Sequence, residues 1–178
     1  HQHYLCTRDA QPVIRHRIGA VSIQTLEYGE PLNIHGVRFS FHPAGHVVGS
    51  AQIRVEYKGE VWVVSGDYKL EDDGLSGVFE PLRCHTFVTE STFGLPVYQW
   101  KPQEAVFADI NAWWVDNQAQ DKVSVITAYA LGKAQRILKG LDTSIGPVYT
   151  HGAVEDINEI IRAQGIALPP TRRVMPGM

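Results

Sequence analysis

Cysteine is nearly absent: Cys6 and Cys84 are the only two among 178 residues. Two cysteines cannot build a disulfide framework, and they are too few for a Cys-type structural zinc site. A reducing, cytoplasmic setting is the simplest reading. No apolar run approaches the roughly 20 residues of a membrane span, and no charged-then-apolar leader is present, so no membrane partner is expected. Positive charge is not in excess. Sixteen Lys and Arg stand against 19 Asp and Glu, for a net charge of −3. Bulk electrostatics therefore does not announce a nucleic-acid binder, which would need a local basic patch. Repeats and low-complexity segments are also missing. The chain opens on His1 rather than Met and ends on Leu168-Pro-Pro-Thr-Arg-Arg-Val-Met-Pro-Gly before Met178. Both ends read as interior sequence, and the expectation is a piece of a longer protein. With 44% hydrophobic residues, this length supports one domain, or one and part of another, with a core that needs no staples.

The first half reads as strands. Val21 to Tyr28 alternates, with Leu26 out of phase, Val37 to Phe41 alternates cleanly, and Ala51 to Tyr57 does so again. Asn33-Ile34-His35-Gly36 and Lys58-Gly59 are turn signals. Val61 to Val64 is a continuous apolar run, suited to a strand buried on both faces. The second half changes rhythm. After the short strand Thr86 to Thr89, Pro102 opens a helix whose apolar face is Val106, Ile110, Trp113 and Trp114. Lys122 to Thr127 reads as a strand, Leu131, Ala134, Leu138 and Leu141 as a helical stripe, and Gly146 to Thr150 as a strand. Val154, Ile157 and Ile161 mark a third helix, with Glu155 and Asp156 at its dipole-favoured start and Gly165 as its cap. The expectation is an antiparallel β part to about residue 90, then a Rossmann-like βαβαβα part with a parallel sheet.

Polar residues gather where strands end. Pro43-Ala44-Gly45-His46-Val47-Val48-Gly49-Ser50 follows the strand ending at Phe41, Ser65-Gly66-Asp67-Tyr68 follows Val64, and Thr89-Glu90-Ser91-Thr92-Phe93-Gly94 follows Val88. Strand carboxyl ends are the usual seat of α/β active sites. A His and an Asp delivered there are good ligands for a zinc- or manganese-type ion, and neighbouring glycines let backbone approach closely. Each residue also has an ordinary reading. Ser-Gly-Asp is common turn chemistry, and Glu90 can cap the next segment. A lone His is more often a satisfied hydrogen-bonder than a ligand, and His42 and His35 compete with His46. Residues alone take this no further than a candidate metal site.

The words Phe-His-Pro-Ala-Gly-His-Val-Val-Gly-Ser-Ala-Gln-Ile-Arg (41–54), Val-Val-Ser-Gly-Asp-Tyr-Lys (63–69) and Phe-Val-Thr-Glu-Ser-Thr-Phe-Gly-Leu-Pro (87–96) resemble the ligase-associated DNA exonucleases, bacterial members of the β-CASP branch of the metallo-β-lactamase fold. Ala128 to Arg136 and Thr150 to Glu155 fit the same family. The resemblance implies a partial metallo-β-lactamase αββα sandwich over 1–95, mixed α/β in class, and the start of a β-CASP α/β insertion over 96–178. It implies that His46 is a metal ligand, that Asp67 bridges two divalent ions (Zn2+ or Mn2+), and that Glu90 is the first acidic motif of the insertion. It further implies metal-dependent hydrolysis of DNA, exonucleolytic and tied to repair, with a DNA ligase as partner. In such chemistry one ion makes hydroxide available at neutral pH and both bear developing phosphate charge. The leading signature H-x-H-x-D-H is not present. Leu5 and Cys6 stand where Asp and His belong, so His1 and His3 are not read as ligands.

Several other residues complete the candidate set. Ser91, beside Glu90, and His151, in Thr-His-Gly between the last strand and the third helix, are secondary site candidates. Lys133, Arg136 and Lys139 recur at i, i+3 and i+6 opposite the apolar stripe; a solvated face is the ordinary reading and a phosphate-tracking patch the functional one. Gly132-Lys133 is no phosphate loop, because Thr127 replaces its first Gly and Ala134 its Ser/Thr. Trp113 and Trp114 read as core. Two rivals stand beside the DNA reading: an RNA-processing nuclease of the same branch, and a non-catalytic nucleic-acid-binding module without a metal centre.

Overall fold

A computed structural model describes residues 3–177; His1, a rejected ligand candidate, lies outside them. Contacts divide the chain into His1–Thr92 and Phe93–Met178.

The first unit holds β1 (His3–Thr7), α1 (Gln11–Ile18), β2 (Ser22–Leu26), β3 (Leu32–Ile34), β4 (Val37–Pro43), β5 (Ala51–Tyr57), β6 (Glu60–Val64) and β7 (Thr86–Val88). Parallel β1 and β2 form a small sheet joined through α1, with His3 opposite Ser22 and Thr7 opposite Leu26. The sequence reading had no α1 and expected only antiparallel pairing here. Pro12 in the first turn of α1 and Gly19 at its end, φ 80°, are the signals that delimit it. The main sheet has the order β3-β4-β5-β6-β7, antiparallel except for β6 and β7.

Register explains its packing. Phe39 and Phe41 of β4 oppose Val55 and Ile53 of β5, which oppose Trp62 and Val64 of β6. Opposed residues share a face, so these six form one apolar face. Phe41 is buried, while Ile53, Trp62 and Val64 remain 39%, 46% and 39% exposed. Val61 and Val63 point the other way and are buried. The run Val61 to Val64 is therefore covered on one face, correcting the expectation of burial on both.

The second unit holds α2 (Gln103–Ala119), α3 (Lys133–Gly140), β8 (Tyr149–Thr150), α4 (Gly152–Ala163) and β9 (Arg172–Arg173). Its sheet is a two-residue parallel ladder of β8 and β9, far less than the expected Rossmann-like sheet. Lys122 to Thr127 forms no strand, and Val123 and Val125 are 88% and 75% exposed. An alternating segment becomes a strand only with a hydrogen-bonded neighbour, and no described segment pairs with it. On α2, Phe107, Ile110 and Trp114 are half-buried, whereas Val106 and Trp113 are exposed; the covered stripe is rotated from the expected one. Gly140 lets the ring of Phe107 reach α3, since a Cβ there would lie 2.3 Å from it. The core comes from Ala134 and Leu138 of α3 with Ile157 and Ile161 of α4.

A buried polar network ties that unit together. The Glu155 carboxylate accepts from Thr150 Oγ1 at 2.5 Å, Thr171 Oγ1 at 2.6 Å and Arg162 Nη1 at 2.9 Å. Asn158 Nδ2 adds a longer bond at 3.3 Å, and Asn158 Oδ1 accepts from Gln135 Nε2 at 2.9 Å. Burial opposes ionisation of Glu155, but the bonds from Thr150, Thr171, Arg162 and Asn158 outweigh it and hold its pKa at about 2.

Candidate metal site

Topology brings the polar strand ends to one edge. In the order β4-β5-β6-β7, β5 is antiparallel to both neighbours, so β4 and β6 run the same way, and β7 is parallel to β6. The loops after β4, β6 and β7, carrying His46, Asp67 and Glu90, therefore leave from the same end of the sheet.

Two strand spacings, roughly 10 Å, separate β4 from β6, and the loops close that gap. Lys69 N–H donates to Ala44 O at 2.9 Å. Gly45, φ 70°, lies so near that a Cβ would meet Lys69 O at 2.5 Å. Within the His46 loop, Ser50 Oγ accepts from His46 N–H at 3.0 Å and Val47 N–H at 3.2 Å, fixing the turn that presents the ring. Gly49, φ 78°, packs on α1, where a Cβ would lie 2.3 Å from Ala10 N. Thr7 Oγ1 donates to Gly49 O at 2.7 Å, and Tyr28 Oη to Ser50 O at 3.0 Å. Burial, then the charge of Asp9, against a bond with Thr7, pushes the Tyr28 phenol up to about 12, so it remains a donor. Below the loop, Gln52 Nε2 donates to Pro43 O at 3.0 Å and Glu80 O at 2.7 Å.

The result is a facing pair: His46 Nε2 stands 3.9 Å from Asp67 Oδ2, both side chains open to solvent. Asp67 is delivered by Ser65, whose N–H donates to Val88 O at 2.9 Å, and by Gly66, φ 58°. Glu90 accepts from Thr92 N–H at 2.7 Å. Its pKa is lowered first by that bond and a second from the Thr92 side chain, against slight burial, with a smaller pull from His46. His46, Asp67 and Glu90 are thus brought to one edge. Ser91 is exposed there with no role assigned by its contacts.

The remaining candidates lie in the second unit. Lys133 is exposed with its Nζ 5.4 Å from the Tyr129 ring centroid, Arg136 Nε donates to Gln103 Oε1 at 2.6 Å, and Lys139 is exposed. His151 is the N-cap of α4, its Nδ1 accepting from Ala153 N–H at 3.1 Å. His42 is satisfied by Ser40 Oγ and Glu80 Oε2 at 3.0 and 2.9 Å. Cys6 is buried and its pKa raised by desolvation, which disfavours the thiolate a metal needs. Thr7, Tyr28 and Gln52 were missed by the sequence reading; a lone Thr or Tyr in a strand carries no signal of what it will brace. Ser50, four residues after His46, carries a signal as a loop cap.

Whether these residues suit the implied ions follows from the distances. Ligand bonds of about 2.0–2.2 Å let one ion touch both His46 and Asp67 across 3.9 Å. Among the described residues, however, no group of three or more His, Cys, Asp or Glu gathers as a metal site. Among the described residues, this pair offers two donors to an ion, fewer than a dinuclear centre needs.

This mixed α/β chain carries part of the metallo-β-lactamase fold and is related to its β-CASP branch. It is 32% identical over 176 residues to a protein of Opitutus terrae named "Probable DNA ligase", covering 97% of this chain and 17% of that protein. It is 29% identical over 123 residues to cleavage and polyadenylation specificity factor 73 of Drosophila melanogaster, and 32% identical over 123 residues to endoribonuclease ysh1 of Schizosaccharomyces pombe, each covering 67% of this chain. The chain spans about a sixth of the length of these relatives, at 17%, 18% and 16%. No family model matches it. Among the described residues, no helix is long and apolar enough to cross a membrane.

Proposed function

We propose that the chain is the part of a metal-dependent nuclease that contributes His46 and Asp67 as ligands and Glu90 beside them, acting on phosphodiester bonds of DNA. The observation that carries this is the 3.9 Å approach of His46 and Asp67 on two loops stitched to each other. A divalent ion, when bound, would lower the pKa of a water and bear phosphate charge. The residues' own part is positional: Ser50 and Thr7 hold the His46 loop, and the Lys69–Ala44 bond holds Asp67 opposite it. The remaining ligands, in this reading, come from elsewhere in the full-length protein.

Similarity along nearly the whole chain to a protein named as a DNA ligase supports DNA as substrate and an association with ligation and repair. The endoribonuclease name among the relatives supports the RNA-processing alternative. The test is cleavage of matched single-stranded DNA and RNA by the full-length protein and its Asp67→Ala variant, with zinc or manganese. The expected result is chelator-sensitive loss of DNA ends by the wild type and none by the variant. Wild-type turnover in the variant would move the reaction elsewhere, and cleavage of RNA alone would establish the RNA reading.

A further inference from the structure

Three aromatic side chains just past Glu90 are exposed, where burial would be the rule. Phe93, Tyr98 and Trp100 are 56%, 45% and 68% exposed. They hold one another in fixed geometry. The Phe93 ring stands edge-on to Tyr98 (centroids 5.1 Å, 79°) and to Trp100 (5.2 Å, 90°), while Tyr98 and Trp100 lie nearly parallel (6.2 Å, 12°). Edge-to-face pairing fixes the rings' mutual orientation, and each residue stays at least 45% exposed. Charge favours an anionic visitor. From Ser91 to Gln103 there is no acidic residue, and Lys101 follows Trp100 directly. The Lys101 amine sits 3.1 Å from Asp109, with side chains 70% and 68% exposed; so open a pair is weak and can yield to a phosphate.

We propose that Phe93, Tyr98 and Trp100 form a stacking platform for the bases of a single-stranded nucleic acid, with Lys101 meeting its backbone. This rests on the nuclease reading above. Rings of fixed orientation lose little entropy on binding, and every base has a π-face, so the platform is tolerant of sequence. Its place in the chain suits a substrate-holding role: Phe93 is the third residue after Glu90, a reach along the chain of at most about 11 Å.

The test is anisotropy titration of the 178-residue chain with labelled oligo-dT, oligo-rU and an abasic phosphodiester of equal length. Trp100→Ala and Phe93→Ala should each weaken binding to both base-bearing oligomers about five- to twentyfold. The abasic strand should bind both variants and wild type alike. Trp100→Tyr should restore binding and Trp100→Leu should not, which separates stacking from apolar packing and covers the case of a poorly folded alanine variant. The proposal fails if Trp100→Ala binds oligo-dT and oligo-rU as wild type does, or if Trp100→Leu restores binding. It also fails if sedimentation shows that Trp100→Ala only abolishes self-association, making the face a protein interface. These failures leave the nuclease reading intact. Absence of wild-type binding to every oligomer, with no cleavage by the full-length protein, would overturn both.

Discussion

Gly49 does more for the candidate site than its size suggests. Its φ of 78° and the 2.3 Å that would separate a Cβ from Ala10 N leave no room for any side chain. Gly49→Ala is expected to destabilise the first unit by about 2 kcal/mol or more, since strain and overlap with backbone add. Thermal denaturation of the variant checks this; an unchanged midpoint would mean α1 can move away at no cost. Ser50→Ala is milder. It removes one acceptor for two partly exposed N–H groups, an effect of about 1 kcal/mol, and its expected signature is reduced turnover in the full-length protein with near-normal stability. The two glycines and the histidine of this loop were legible in the sequence because their types at that spacing suit a tight, ligand-presenting turn. The groups behind them were not. Thr7 and Tyr28 reach Gly49 and Ser50 across 42 and 22 residues, and long-range bonds of that kind leave no local pattern.

Among the elements, β4 to β7 of the main sheet and β8 within Gly146 to Thr150 were readable, whereas β3 begins inside a segment that reads as a turn and the strand expected at Lys122 to Thr127 is absent. Where β4 and β5 alternate, each has a partner to impose register, so pattern and structure agree. Lys122 to Thr127 carries a comparable pattern but no described partner, and pattern without a ladder leaves extended chain. Val61 to Val64 misled because four apolar residues in a row hide which two face the sheet's covered side; only register with Ile53 and Arg54 decides it. In α4, the sequence explained Glu155 by the helix dipole, whereas the side chain is buried and bonded to Thr150, Thr171, Arg162 and Asn158. That difference has a measurable consequence. Its folded pKa of about 2 lies below the ordinary 4.5. A depressed carboxyl contributes stability that is full above the ordinary value and is lost as pH falls through the folded one. The second unit should therefore lose stability, on the order of 3 kcal/mol, between about pH 4.5 and pH 2. Glu155→Gln should flatten this acid limb while lowering stability at neutral pH, because Arg162 is left without its carboxylate. An acid limb identical in the variant would show that other carboxylates dominate.

At the scale of the whole chain, two features pull against each other. The sheet edge brings His46, Asp67 and Glu90 to strand ends, and the proposed function asks that edge to hold a metal. Yet among the described residues no third ligand closes on the pair, and both of its side chains are open to solvent at 46% and 74%. Metal affinity follows ligand number and preorganisation, and each exposed ligand must lose side-chain freedom on binding. These 178 residues alone are therefore expected to bind zinc or manganese only weakly and to leave labelled single-stranded DNA uncut. The Lys133, Arg136 and Lys139 face adds a second expectation at this scale. In a chain of net charge −3, Lys133→Ala should weaken DNA binding modestly and reduce its salt dependence by about one unit of slope if that face tracks phosphates; an unchanged slope would leave it a solvated surface. Calorimetric titration beside the cleavage assay decides the first expectation. No resolvable heat at micromolar metal, or a shallow isotherm that His46→Ala removes, agrees with a two-ligand site. Two tight sites, or cleavage abolished by chelator, would show that the chain completes a dinuclear centre with further ligands of its own, His3, His42 and His151 being the first to substitute.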